Sequence, residues 1–110
     1  MIIKTFIDAM VNKDYAALSQ CFCDQSRMFD YCPAGLGLSN YYVYGSRAID
    51  MFYHNKFFLG GYAIYDPEIV DERTVNFYAS YGGSILHAVA TIEAYDKKTG
   101  LIKELVIRPA

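Results

Sequence analysis

Apolar residues recur every three or four positions along the first stretch of the chain. Ile2, Ile3, Phe6, Ile7, Met10 and Val11 fall on one stripe, which predicts an amphipathic helix over residues 2–12. Asp14 can cap a second, short helix whose apolar set is Ala17, Leu18, Cys21 and Phe22. Residues 26–31 read as a short strand, and residues 33–45, with Pro33 and three glycines, as a loop. Ser46 can cap a third helix that turns Ala48, Ile49, Phe52 and Tyr53 inward and ends near Gly60-Gly61.

Beyond Gly61 the period changes from helical to alternating. Residues 62–70 predict a strand broken or bulged at Asp66-Pro67. Val75, Phe77, Ala79 and Tyr81 alternate along the next strand, and Gly82-Gly83 predicts a tight hairpin. Residues 85–95 are long and strongly alternating. Leu86, Ala88, Ala90, Ile92 and Ala94 share one face, while Ile85, His87, Val89, Thr91, Glu93 and Tyr95 share the other. Residues 96–100 form a second hairpin loop, followed by a final strand over 101–107. Helices first and an antiparallel meander afterwards predict an α+β fold, with three helices on one face of a curved sheet around an apolar hollow.

Composition adds limits. At 110 residues the chain is read as one domain, 1–110, and 54% hydrophobic with 20% charged residues is a globular composition. Eleven Tyr and seven Phe suit sheets and the walls of apolar pockets. A net charge of −2 and a pI near 5.5 give no basic footprint for nucleic acid. No apolar run approaches the ~20 residues of a membrane span, and the N-terminal stretch reads as a helix rather than a signal peptide. Cys21, Cys23 and Cys32 are odd in number and contain no Cys-x-x-Cys, which predicts free thiols in a reducing cytoplasm; a Cys-x-Cys redox or metal role is the lesser alternative.

The candidate chemistry is sparse. Gly35-Leu36-Gly37 starts like a phosphate loop, but Asn40 stands where the third glycine belongs, so nucleotide binding is discounted. His54 and His87 lack acidic or histidine partners at ligand spacing, so no metal and no cofactor are expected. His54 reads as a surface residue, and His87 as a pocket residue or a satisfied strand histidine. No Gly-x-Ser-x-Gly elbow exists.

Asp30 is the residue that stands out. It lies in Met28-Phe29-Asp30-Tyr31-Cys32-Pro33, where desolvation would raise its pKa and make it a better proton acceptor. The plainer reading is an exposed acid at a strand end. Glu93, in Ala90-Thr91-Ile92-Glu93-Ala94, is a second acid in apolar company. Its plainer reading is a solvent-facing partner of Lys103 on the next strand, worth under ~1 kcal/mol.

Taken together, the ordered segments Phe6-Ile7-Asp8-Ala9-Met10, Asn12-Lys13-Asp14, Leu18 to Phe22, Asp24 to Asp30, Gly45-Ser46-Arg47-Ala48-Ile49 with Phe52-Tyr53, and Ala90-Thr91-Ile92-Glu93-Ala94-Tyr95 carry a resemblance. The chain resembles the nuclear transport factor 2-like superfamily, in particular its ketosteroid isomerase and SnoaL-like polyketide cyclase branch. The resemblance implies a conical, cystatin-like α+β fold, with about three N-terminal helices on a curved, mostly antiparallel sheet enclosing an apolar pocket, usually dimeric. It places Asp30 at the general base, Tyr53 at a pocket tyrosine of the third helix, and Glu93 near the acid of the oxyanion hole. Ketosteroid isomerase itself combines a base Asp with a Tyr and a protonated Asp in an apolar site. Phe6, Tyr15, Phe52, Tyr78 and His87 are the expected pocket lining.

The implied activity is proton transfer next to a carbonyl of a small apolar substrate, as in an isomerase, cyclase or dehydratase. The alternative is a non-catalytic dimeric domain that binds an apolar small molecule or mediates protein interaction. The expected dimer face is the outer side of the sheet at Ala88, Ala90 and Ala94. One departure matters. Phe6 stands where the isomerases keep the main oxyanion tyrosine, and Tyr53, Tyr15 and Tyr78 are the candidates to replace that phenol.

Overall fold

The computed structural model describes residues 1–110. Three helices, α1 (Ile2–Val11), α2 (Tyr15–Gln20) and α3 (Ser46–Phe58), pack on a single six-stranded sheet. Its strands are β1 (Phe22–Asp30), β2 (Tyr41–Tyr44), β3 (Ala63–Asp71), β4 (Thr74–Tyr81), β5 (Ser84–Tyr95) and β6 (Ile102–Pro109), in the order β2-β1-β6-β5-β4-β3. Every neighbouring pair is antiparallel except β1 with β6, which is parallel.

The hydrophobic pattern explains the packing. Ile3, Phe6, Ile7 and Met10 are all buried, so the predicted stripe of α1 is the face turned to the sheet. Asp14 caps α2, its carboxylate accepting from the Ala17 N–H at 3.0 Å. On β5 the inward residues are Ala88, Ala90 and Ile92. Ala88 lies opposite Phe77 and Ala90 opposite Val75, so small side chains on one strand make room for large ones on the next.

Several local expectations change. Residues 33–45 are not all loop: a 3-10 turn covers Pro33–Leu36, and β2 pairs with β1 from Arg27↔Tyr44 to Asp30↔Tyr41. β1 starts at Phe22 rather than Ser26, with a bulge between Phe22 and Arg27. Gly45, at φ 90°, holds the cap position of α3, and the Ser46 hydroxyl turns to Asp24 at 3.4 Å instead. α3 ends near Gly60-Gly61 as expected, and the left-handed glycine there is Gly61, at φ 68°. The break at Asp66-Pro67 is present: Asp66 has φ 49° and the register with β4 shifts there.

The expected dimer face is corrected by the burial pattern. Ala88 and Ala90 are fully buried beneath the helices, and Ala94 is half-buried at a bulge against β6. They therefore line the inside of the sheet. Alternation gives the outer face to His87, Val89, Thr91 and Glu93.

Candidate functional site

Asp30 ends the inward row Ser26, Met28, Asp30 of β1 and is 1% exposed, which removes the reading of a solvent-facing strand-end acid. Its Oδ1 accepts from the Cys32 backbone N–H at 2.9 Å. Its Oδ2 accepts from the Tyr81 hydroxyl at 2.6 Å, the short distance of a strong phenol–carboxylate bond. Burial raises the Asp30 pKa, and the bonds from Tyr81 and Cys32 pull it partly back. No Lys, Arg or His forms an ion pair with it.

A ring of aromatic side chains encloses this carboxylate. Tyr81 packs against Tyr62 (centroids 5.1 Å) and Tyr41 (6.1 Å), and Tyr62 against Tyr53 (5.8 Å) and Phe57 (5.9 Å). Phe52 closes the ring, 4.9 Å from Tyr41 and 5.1 Å from Tyr53, mostly edge to face as ring quadrupoles prefer. The Lys56 ammonium lies over the Tyr41 ring at 4.6 Å from its centroid and caps the group. Each element delivers its residue by its own period. Ile49, Tyr53 and Phe57 are the i, i+4, i+8 row of α3, and Val75, Phe77, Ala79 and Tyr81 the inward row of β4.

Two polar atoms in this shell are unsatisfied. The hydroxyls of Tyr53 and Tyr62, both on residues at most 1% exposed, have no hydrogen-bond partner. Tyr62 approaches the Tyr81 hydroxyl without meeting hydrogen-bond geometry. Desolvation first, and the nearby Asp30 charge after it, push both phenols far up, so they stay protonated and keep a donor proton. Burial also pushes the Cys32 thiol up to about 12, which makes it an inert neighbour rather than a nucleophile.

The larger surface clefts, of about 430 to 530 Å³, lie elsewhere, and none of them is lined by Asp30, Tyr53, Tyr62 or Tyr81. One of about 530 Å³ runs between α2, α3 and β1 past Ser19, Asp24, Arg47 and Asp50.

Of the residues singled out in the sequence, Asp30, Tyr53 and Phe52 come together. Glu93 does not join them. It is exposed on the outer face and pairs with Arg108 at 3.4 Å, so its partner is not Lys103 either. Phe6 is core, edge-on to Phe22. Tyr15 stacks on His54 on the helical side, and Tyr78 stacks on His87 on the outside of the sheet. Neither can supply a phenol to Asp30. Tyr41, Tyr62 and Tyr81 complete the shell without standing out as site residues in the sequence, although the period-two row of β4 already points Tyr81 inward. No group of His, Cys, Asp and Glu is arranged to hold a metal ion.

A six-stranded sheet with three helices folded over a buried acid makes an α+β domain whose fold is similar to that of solved structures described as cystatin-like and NTF2-like. Solved structures of that fold superpose along nearly the whole chain. A protein of unknown function with a cystatin-like fold from Methylobium petroleophilum is 21% identical with a TM-score of 0.66, covering 99% of this chain and 73% of its own. A hypothetical protein with a ketosteroid isomerase-like fold from Catenulispora acidiphila, in complex with trimethylamine, is 12% identical (TM-score 0.64; 99% and 85% covered). A SnoaL-like protein of unknown function from Burkholderia thailandensis is 10% identical (TM-score 0.64; 98% and 91% covered). No protein-family model matches the sequence, and no curated protein matches it. At these identities the likeness establishes the fold.

Proposed function

We propose that this domain performs acid–base chemistry on a small carbonyl compound at Asp30, as the resemblance of its sequence to the ketosteroid isomerase and SnoaL-like branch implies. The observation that carries the reading is the buried Asp30 carboxylate, bonded to Tyr81 at 2.6 Å inside a shell of aromatic rings. A raised pKa strengthens a carboxylate as a base, and each oxygen retains a free lone pair beside the bond it accepts. Ionised Asp30 takes a proton from the carbon next to the carbonyl. The C–H electrons form the enolate double bond, the carbonyl π electrons move to oxygen, and the same carboxyl returns the proton to carbon. Tyr81 holds Asp30 in place, and Glu93 has no part.

The test is deuterium exchange into small enones and ketones in heavy water, followed by proton NMR. Asp30→Asn should slow exchange by roughly 10²-fold or more, the usual contribution of a general base. Equal exchange with Asn at this position would sink the reading. In that case, retained binding of the same compounds would leave a non-catalytic ligand-binding domain.

A second observation bears on assembly. Phe29, Tyr31, Tyr42 and Tyr44 interlock on the outer face of β1 and β2 with centroids 5.9 to 6.4 Å apart, and Tyr42 and Tyr44 are 54% and 62% exposed. We propose that the chain dimerises through this aromatic end of the sheet. Equilibrium ultracentrifugation should give a dimer that Tyr42→Glu with Tyr44→Glu converts to monomer; a monomeric parent protein refutes it.

A further inference from the structure

Asp30 is shut in without a countercharge. It is buried, none of the larger clefts reaches it, and no cation pairs with it. The groups facing it are Tyr81 from β4, Tyr41 from β2, Tyr53 from α3, Tyr62 from just before β3 and Cys32 from the turn after β1. From β6 only Ile107 stands opposite. The one charge nearby, the Lys56 ammonium, lies over the Tyr41 ring rather than at the carboxylate.

The two protonation states do not suit this closed shell equally. Protonated, the carboxyl donates across the 2.6 Å contact to the Tyr81 oxygen, and the Tyr81 proton is free to turn to the adjacent Tyr62 oxygen. Ionised, the carboxylate draws the Tyr81 proton to itself. Tyr53 and Tyr62 then keep hydroxyls without partners, and an unpaired charge sits in a dry aromatic shell, which is costly unless water enters. The shell also has a seam. Gly61 directly precedes Tyr62 and Gly82 directly follows Tyr81. Both glycines are exposed, and a Cβ on Gly61 would lie 3.8 Å from the Gly82 Cα, so two glycine turns abut with no side chain to interlock them. We propose that Asp30 triggers a pH-dependent opening: the shell stays shut while the carboxyl is protonated, and ionisation parts it at the Gly61–Gly82 seam and admits water. Burial, which favours the neutral carboxyl, acts in the same direction. The opening needs no catalytic role for Asp30; it is the step that would expose this group to anything it acts on.

Two native thiols read the opening. Cys32 is fully buried beside Asp30 and Tyr81, and Cys21 is buried just before the opposite end of β1. The full-length chain is labelled with N-ethylmaleimide from about pH 4.5 to about pH 8.5, and each rate is divided by that of the same cysteine in urea-unfolded chain, which cancels the pH dependence of the thiolate. Peptide mass spectrometry separates the two sites. Protection of Cys32 should fall by roughly tenfold or more as Asp30 ionises, while Cys21 stays protected. In Asp30→Asn, which stays neutral, Cys32 should remain protected throughout. In Tyr81→Phe, which loses the bond favouring the ionised form, the fall should move to higher pH. Equal loss at both thiols would mean that the whole molecule unfolds, and the opening would be wrong. It would also be wrong if Cys32 protection in the parent chain does not change with pH, if Asp30→Asn loses it as the parent does, or if the fall in Tyr81→Phe moves to lower pH. The comparison of Cys32 with Cys21 in the parent chain decides the matter even where a variant fails to fold.

Discussion

The Tyr81 hydroxyl donates to Asp30 Oδ2 across the inside of the sheet, 51 residues away in sequence and with two strands between their own. In a flat sheet β1 and β4 would stand ~14 Å apart. The bond therefore needs a strongly curled sheet, and it also fastens that curl. Tyr81→Phe leaves a buried carboxylate oxygen short of a donor and should cost about 1.5–3 kcal/mol, as measured by urea unfolding. It should also raise the Asp30 pKa further, since Tyr81 is the strongest group holding it down. An unchanged midpoint would mean that the bond does not form.

Asp30 makes stability depend on pH in a defined direction. Its folded pKa lies above the ordinary value of 3.8, so between those two values the folded state binds more protons than the unfolded one. Stability falls wherever the folded state binds more, so the Asp30 contribution is full below 3.8 and is lost as pH rises through the folded value. Asp30→Asn should flatten this loss. The melting-temperature difference between variant and parent should grow in favour of the variant from pH 4 upward and then level off. A difference independent of pH would mean that Asp30 titrates normally.

Much of the molecule is legible from the chain, and the failures have physical causes. The inward row of α3 already turns Ile49, Tyr53 and Phe57 into the core. Glu93 looks like a buried acid because Ile92 is buried beside it, but in a strand sequence neighbours point to opposite faces, so apolar flanks say nothing about the acid itself. Asp30 escapes that error because its own row, Ser26 and Met28, is buried. Tyr81 has the right period, yet its contact depends on curl accumulated over two intervening strands, which no local pattern encodes. β2 is hidden because four residues between a glycine-rich turn and Gly45 carry too little alternation to read.

Glu93→Gln tests the outward placement from the other side. The Glu93–Arg108 contact is 3.4 Å long between side chains that are 39% and 51% exposed. Such pairs contribute about 0–1 kcal/mol and weaken with salt. The variant should unfold within about 0.5 kcal/mol of the parent and exchange enone protons at the parent rate. A loss of exchange approaching that of Asp30→Asn would bring Glu93 back into the site.

The abutting glycine turns give the last prediction. Gly82 has φ 64° and Gly61 φ 68°, in the left-handed region where a side chain is strained, although a Cβ at Gly82 would meet nothing within 4 Å. Gly82→Ala should therefore cost about 1 kcal/mol through backbone strain alone. Gly61→Ala carries the same strain and sets a methyl 3.8 Å from the Gly82 Cα, an ordinary contact, so the two variants should be destabilised alike. Urea unfolding of the two variants reads this cost, and a Gly61→Ala or Gly82→Ala protein as stable as the parent would mean that the turn does not need its left-handed backbone.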